Sequence, residues 1–359
     1  MKSVNLSRGV LLRRLDELTA EETVAWDSLL TQNDLRRAFL SRHYVRQTAQ
    51  ACGNADGFGG ERGIFVLVIY KNQKPQAFLP LQQASGLRGI ARIYEPVGGV
   101  MTDYFGIIAA EGTVIDIAAC LAATRGQVNA IWFSHLDETQ AKFGLHGQEP
   151  RPGLRTSLGT QTGEYWSNLK KQKKSLVYDT GRMEKKLGNE IGPLTFEWSS
   201  QNPEQDITWL IEEKKKQYLR TGKSNAPLFG QHNINLIRGL LQVQEDTCHG
   251  LLSVLRSGDR IIAAHFGLRC GDMLHIWFPV YDPELSGYSP GRVLFKHLFE
   301  AAPAAGVHML DWGEGEAMYK QNFATESHLF FRGLWHVSGW RGYLARGALS
   351  VAWRLGLRE

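Results

Sequence analysis

One stretch limits the fold more than any other: from Met273 to Asp311 a short apolar run, a turn, a helical pattern and a second apolar run follow one another. Met273 to Val280 is rich in aromatic and aliphatic side chains and is halted by Asp282-Pro283, as expected of a buried strand. Ser289-Pro290-Gly291 then opens a helix, since a serine can cap free amides and proline at the first helical position forfeits no needed donor. Leu294, Leu298, Ala301, Ala302 and Ala305 continue it at helical spacing, Pro303 loosens its last turn, and Gly306 stops it. Val307 to Asp311 reads as the second strand. A right-handed crossover of this kind brings the helix N-terminus to the end of the first strand, where unpaired amides attract anions. Gly291 leaves room for a phosphate to approach that backbone.

The second strand ends at the same edge with Asp311, followed by Gly313, Glu314, Gly315, Glu316, Tyr319 and Lys320. Carboxylates, a phenol and an ammonium thus gather beside an anion-binding turn. Each has an ordinary structural role too: Asp311 can cap the next helix, Tyr319 can pack its ring, and Lys320 can pair with Glu316 across one helical turn. His265 and His275 lie inside strands and read as satisfied core histidines. No Ser-His-Asp spacing, phosphate-cradling Gly-x-x-x-x-Gly-Lys loop or metal-ligand cluster occurs, so no metal is expected and direct attack is the simpler chemistry.

At 359 residues the chain is long enough for two domains, each with its own core. The 41 basic and 36 acidic residues leave +5, which favours anionic partners without demanding a nucleic acid. Cys52, Cys120, Cys248 and Cys270 have no paired spacing and read as reduced thiols of a cytoplasmic protein. Arg13-Arg14 interrupts Val10-Leu11-Leu12 before a signal-peptide core forms, and no apolar run approaches a membrane span.

In order, the first half reads as an entry strand Val10 to Leu15, a capping box at Thr19 and Glu22, and helices around Trp26 to Leu30 and Arg36 to Cys52. A Gly-rich loop to Gly63, a hairpin of Ile64–Tyr70 and Gln76–Gln82, a strand Tyr104–Ala109, a helix Thr113–Thr124 and a strand Val128–Ser134 follow. Gly250–Arg256, Ile261–Leu268, Met273–Val280, the helix after Ser289 and Val307–Asp311 repeat that order, which implies an internal duplication. Where the second copy has Ser289-Pro290-Gly291 the first has Glu111-Gly112, whose carboxylate would repel a phosphate, so the first copy is expected to be scaffold or acceptor wall.

Gln148 to Gly163, rich in Gly, Pro and Thr, reads as a linker. Tyr165 to Leu187 reads as one basic helix carrying Lys170, Lys171, Lys173, Lys174, Arg182, Lys185 and Lys186. That face is either simply solvated or meets an anionic acceptor, an acidic membrane face or an RNA acceptor stem. Helices over Asp206–Leu219 and Asn233–Gln244 are joined by Arg220-Thr221-Gly222-Lys223, and Ser327–Val337 closes the second sheet. A last helix, Gly342 to Gly356, groups Leu344, Ala348, Val351, Ala352 and Leu355, and either lies on a membrane or docks on its own domain.

Ser-Pro-Gly at a helix start, a strand ending in Asp311, the Gly313-Glu314-Gly315 turn and Tyr319-Lys320 together resemble an acetyltransferase family connected with cellulose biosynthesis, called CelD-like or BcsL-like. That family belongs to the GNAT superfamily and is similar in layout to the Fem peptidyltransferases. The resemblance covers roughly residues 20 to 332. It implies an α/β (α+β) chain of two tandem GNAT-like domains, each a mixed, largely antiparallel sheet flanked by helices. The expected division is 1–150 without cofactor, 151–190 as linker and basic helix, 191–340 as the acyl-CoA-binding domain and 341–359 as an amphipathic helix.

The resemblance further implies acyl transfer from acetyl-CoA or another acyl-CoA. Ser289, Pro290, Gly291 and Arg292 would hold the pyrophosphate, and the strand at Trp277, Phe278 and Val280 would offer a backbone donor to the thioester carbonyl. Tyr288 to Val293 departs from the usual signature, Gln or Arg followed by x-x-Gly-x-Gly or Ala. Asp311, Glu314 or Glu316 would serve as base, Tyr319 as donor to the leaving thiolate and Lys320 as a charge-steadying group, with Asp103, Tyr104 and Lys223 touching the acceptor. The acceptor would be a small molecule or glycan: a sugar, a polysaccharide precursor or another cell-envelope component, with peripheral membrane contact left open. Two alternatives stay open as well: Fem-like transfer from aminoacyl-tRNA, and a non-catalytic binding protein with the double fold.

Overall fold

The structure is a computed structural model, and it describes residues 9–32, 37–52, 63–223 and 226–354. The expected loop at 53–62, the predicted start of the second helix at Arg36 and the last residues of the C-terminal helix, 355–356, lie outside the described residues. Two compact units make up the chain: Met1–Arg151 with Leu329–Glu359, and Pro152–His328. The second unit therefore ends near 328, short of the expected boundary at 340.

The first unit begins with strand β1 (Val10–Arg14), helix α1 (Ala20–Gln32) and helix α2 (Arg42–Cys52). Thr19 and Glu22 form the expected capping box, each accepting from the other's amide at 3.2 and 2.6 Å. The second helix starts at Arg42, later than expected, because Ser41 breaks the chain direction and its Oγ accepts from the Tyr44 amide at 3.0 Å. Strands β2 (Ile64–Lys71) and β3 (Lys74–Gln83) form the hairpin; helix α3 (Gly86–Ile90), β4 (Ile93–Glu95), β5 (Ile108–Ala109), helix α4 (Ile117–Ala123) and β6 (Ala130–Asp137) follow. Asp116 caps α4 by accepting from the Ala119 amide at 3.0 Å, so a carboxylate already occupies that helix start.

The expected linker is a strand, β7 (Gln148–Ser157). Helices α5 (Glu164–Gln172) and α6 (Lys174–Glu190) replace the single basic helix, the break falling at Lys173, whose Nζ donates to the carbonyls of Gln321 and Asn322 at 2.7 and 2.9 Å. Strand β8 (Leu194–Glu197), helix α7 (Pro203–Arg220), helix α8 (Gln231–Leu241) and β9 (Gln244–Glu245) lead into a meander of β10 (Cys248–Ser257), β11 (Arg260–Cys270) and β12 (Met273–Tyr281). Helix α9 (Pro290–Ala301) crosses over to β13 (Met309–Glu314), and helix α10 (Met318–Phe323) follows.

Strand β14 (Glu326–His336) then pairs antiparallel with β6 of the first unit, through Phe330↔Asp137 to His336↔Ala130. Strand order is β1-β2-β3-β4-β6-β14 in the first unit and β8-β10-β11-β12-β13-β7 in the second. Each order holds one parallel neighbour pair, β4 with β6 and β12 with β13, followed by an antiparallel strand. The duplication read from element order is thus present in the topology as well. Helix α11 (Trp340–Arg354) buries Ala345 and Leu349 against Ile93 and Ala130, and leaves Tyr343, Leu344 and Val351 exposed, so its packed stripe differs from the expected one. Among the described residues no helix is long and apolar enough to cross a membrane.

An aromatic cluster holds α9 to the second sheet: Phe295, Phe299, Trp312, Phe323 and Trp166. Each ring taken wholly out of water contributes roughly 1.5–3 kcal/mol. On its outer side α9 meets α6, where Glu184 lies 2.6 Å from Lys296 Nζ and 2.7 Å from His297 Nε2. The contact with His297, then that with Lys296, outweighs burial and lowers the Glu184 pKa to about 2. A carboxylate depressed in the folded state stabilises above its unfolded value and loses that contribution as pH falls toward its folded value. Denaturation midpoints of the wild type are therefore expected to drop between about pH 4.5 and 2. Part of that slope should be missing in Glu184→Gln, as urea titrations across this window will read.

Candidate active site

Strand β12 carries a bulge at Trp277: Phe266 pairs with Phe278 and Gly267 with Ile276, so Trp277 is the extra residue. Such a bulge re-aims a strand, and bulges are over-represented beside functional sites. Parallel pairing with β13 is confined to Met273↔Met309, Leu274↔Leu310 and His275↔Asp311. Beyond that register β13 stays with β7, with an irregularity between Asp311 and Glu314, so the two central strands part after His275.

Helix α9 starts just past the end of β12. Ser289 takes a left-handed conformation, φ 52°, with no side-chain cap, which corrects the expected capping role. Its Oγ is within 2.9 Å of the Arg292 guanidinium, which donates to it. Pro290 has no N–H, and the amides of Arg292 and Val293 donate to Ser289 O at 2.9 and 3.3 Å, which leaves the Gly291 amide outside the helix's own bonds. A side chain built at Gly291 would meet only the Tyr281 ring, at 3.6 Å, so that face of the helix start is open. Glu190 accepts from the Tyr288 hydroxyl at 2.6 Å and fastens the preceding turn to α6.

Asp311 is wholly enclosed: Oδ2 lies 2.9 Å from His275 Nδ1, and Oδ1 accepts from the Gly313 amide at 3.1 Å. It cannot meet a substrate directly and acts, if at all, through His275. This corrects its reading as an exposed base or a helix cap; its partner His275, read as core, is buried as well. A signal was available, since Met273-Leu274-His275 and Met309-Leu310-Asp311 place two polar residues at the same step of two parallel apolar strands.

The remaining expected site residues divide. Lys320 Nζ donates to the carbonyls of Trp312 and Glu314 at 2.7 and 2.8 Å, so it staples the end of β13. Tyr319 lays its ring edge on Trp312 at 6.1 Å and stays exposed, Glu316 is exposed, and Glu314 is half-buried. Trp277 packs on Phe278 at 4.7 Å, while Phe278 and Val280 are buried. Asp103 is half-buried in the first unit; Tyr104 is buried there between Phe330 and the Arg37 guanidinium, so its ring offers no surface for an acceptor. Lys223 is exposed after α7. One group escaped the sequence reading, Lys214 on α7, whose Nζ donates to Pro279 O on β12 at 2.9 Å; His265 is a core histidine as read, but neither of its ring nitrogens is hydrogen-bonded.

Residues 174–321 match the family model described as acetyltransferase (GNAT) domain. No curated protein matches by sequence. Among solved structures, FemX is similar with TM-score 0.57 and 10% identity over 89% of this chain and 95% of that one. The C-terminal DUF2156 domain of a protein named as a lysylphosphatidylglycerol synthetase, from Agrobacterium fabrum, is similar with TM-score 0.51 and 14% identity over 93% and 97%. A tandem GNAT protein of the clavulanic acid biosynthesis pathway has TM-score 0.48 and 10% identity over 92% and 99%. Identities this low speak for the fold alone. The segment 174–321 contains β12, α9 and β13 with the site just described, and through this GNAT acetyltransferase domain the chain is an acyltransferase.

Proposed function

We propose that the chain is an acyl-CoA-dependent N-acyltransferase, using acetyl-CoA or a close thioester. Its acceptor would be a sugar, a polysaccharide precursor or another cell-envelope component, as the CelD-like resemblance implies. The observation that carries this reading is the parting of β12 from β13 after His275↔Asp311, on the strand whose far end, Tyr281, adjoins the open start of α9 at Gly291. The residues present fit a CoA thioester: the Gly291 amide and the α9 dipole suit a pyrophosphate, with Arg292 half-buried alongside. CoA would supply an activated acyl group. The chain's share is to hold the diphosphate, to offer backbone of the bulged strand near Trp277 and Phe278, and, on this reading, to take the acceptor's proton on His275, which is only 4% exposed and is held in place by Asp311. The first unit, with Asp116 at the start of α4, serves as scaffold.

Calorimetric titration with acetyl-CoA tests this. Gly291→Glu is expected to weaken binding at least about tenfold by placing a carboxylate at the helix start, with an unchanged melting temperature. Gly291→Ala should fold as stably as wild type, since its methyl meets no protein atom closer than 3.6 Å. Wild-type protein that binds no CoA thioester ends the reading. The alternative, Fem-like transfer from aminoacyl-tRNA, draws on the basic α5–α6 surface. Several of its charges are already engaged, Lys173 on carbonyls, Arg182 on Asp179 and Lys186 on Glu190. Binding of tRNA with a steep salt dependence would select it.

A further inference from the structure

Lys214 sits on the face of α7 turned to the sheet, its Nζ donating to Pro279 O at 2.9 Å and lying 5.5 Å from the centre of the Tyr218 ring. Pro279 stands opposite His265 in the β11–β12 ladder. Burial, and secondarily the charge of Lys223, lowers the Lys214 pKa to about 8. Burial, then His275 and Lys214, lowers that of His265 to about 3, so this imidazole is neutral at any ordinary pH. Lys214 and His265 thus both adjoin Pro279.

No carboxylate balances the lysines. The neighbouring acids of α7 are committed elsewhere, Glu212 to Lys215 at 3.0 Å and Glu213 Oε1 to Lys216 at 2.6 Å. Neither Lys214 nor Lys223 takes part in an ion pair among the described residues. Lys214 is half-buried and has no counter-ion among the described residues, and beyond its bond to Pro279 O it keeps two N–H groups that an oxyanion could take. On the same helix Glu213 Oε2 and Gln217 Oε1 are buried acceptors without donors. The Lys214 donors on α7, the Lys223 ammonium just past its end and the open acceptors of Glu213 and Gln217 thus belong to one short stretch of chain.

We propose that Lys214 and Lys223 form an oxyanion subsite for the acceptor, which carries a carboxylate or a phosphate besides the group that is acylated. Glu213 and Gln217 receive the acceptor's N–H or O–H donors. This rests on the acyltransferase reading and narrows it to anionic acceptors. The oxyanion supplies the missing counter-charge, and Lys214 gains protonated population when it binds.

The test follows the lysine Nζ resonances of the wild-type protein by NMR with CoA saturating, so that anions cannot be taken up at the start of α9. Inorganic phosphate and acetate are the two probes, and they separate a phosphate site from a carboxylate site. One of them is expected to raise the Lys214 pKa by about one unit, which corresponds to roughly tenfold tighter binding to the charged form. Lys214→Met should lose the response and Lys223→Met should weaken it. If CoA binds and neither anion moves Lys214, the subsite is wrong and the acyltransferase reading stands. If the anions move Lys214 in protein that takes no CoA, the subsite stands and that reading falls. With an acceptor in hand, Lys214→Met should raise its KM at least tenfold with kcat kept; a loss confined to kcat would make Lys214 a proton-transfer group and overturn the proposal.

Discussion

Asp311→Asn is expected to lower kcat with acetyl-CoA by about 10²-fold or more, within the range that proton transfer contributes, while affinity for CoA stays near wild type. The substitution keeps the shape of the side chain and removes the charge 2.9 Å from His275 Nδ1. An amide in that position can present its N–H as readily as its oxygen, so the imidazole is no longer held in one tautomer. Asp311 has no exposed surface, and its influence must pass through His275. The double variant with His275→Gln should consequently be little worse than either single one, since groups that act as a unit are not additive. A purely structural role would instead lower stability, leave kcat per folded molecule intact and make the two losses add.

A large effect on stability is expected at Gly267. A methyl there would stand 2.2 Å from the His275 carbonyl oxygen, and 2.6 and 2.8 Å from Cε1 and Nε2 of the His265 ring. The ring could swing away, but the carbonyl belongs to the strand that pairs with Gly267's own and cannot. Overpacking of this kind costs about 1–3 kcal/mol and more where backbone must shift. Gly267→Ala should reach the top of that range in urea denaturation, with activity falling too because the bulge at Trp277 begins one residue beyond the Gly267↔Ile276 pair. A variant as stable as wild type would mean that the two strands separate more easily than their pairing suggests.

The strand–helix–strand core of the second unit was legible because its signals are local: an apolar run, a proline at the helix start, glycine at its end. The segment at 148–163 misled for the same reason. Its Pro150, Pro152 and Gly153 are turn formers, yet Leu154 and Thr156 alternate into the core, and Thr156 Oγ1 accepts from Trp312 Nε1 and donates to Phe323 O, both at 2.8 Å. Those partners lie more than 150 residues away along the chain, beyond any local pattern. The burial of Asp311 was missed similarly, since a carboxylate inside an apolar strand makes sense only once the parallel register with His275 is known. Ser289 was read as a cap from its type, but its backbone is left-handed and Arg292 claims its hydroxyl. Lys214 could not have been told from the other lysines of α7, because its distinction is the bond to Pro279 O and the lack of a carboxylate at its side.

The return of β14 and α11 to the first unit bears on how a ribosome must build this protein. The amino-terminal body lacks its last strand until residues beyond 329 have left the exit tunnel, by which time the other body has been synthesised whole. Until then β6 has an open flank, a template for wrong partners. Genes cut near residue 151 should therefore yield an insoluble leading fragment, rescued when the trailing piece is co-expressed.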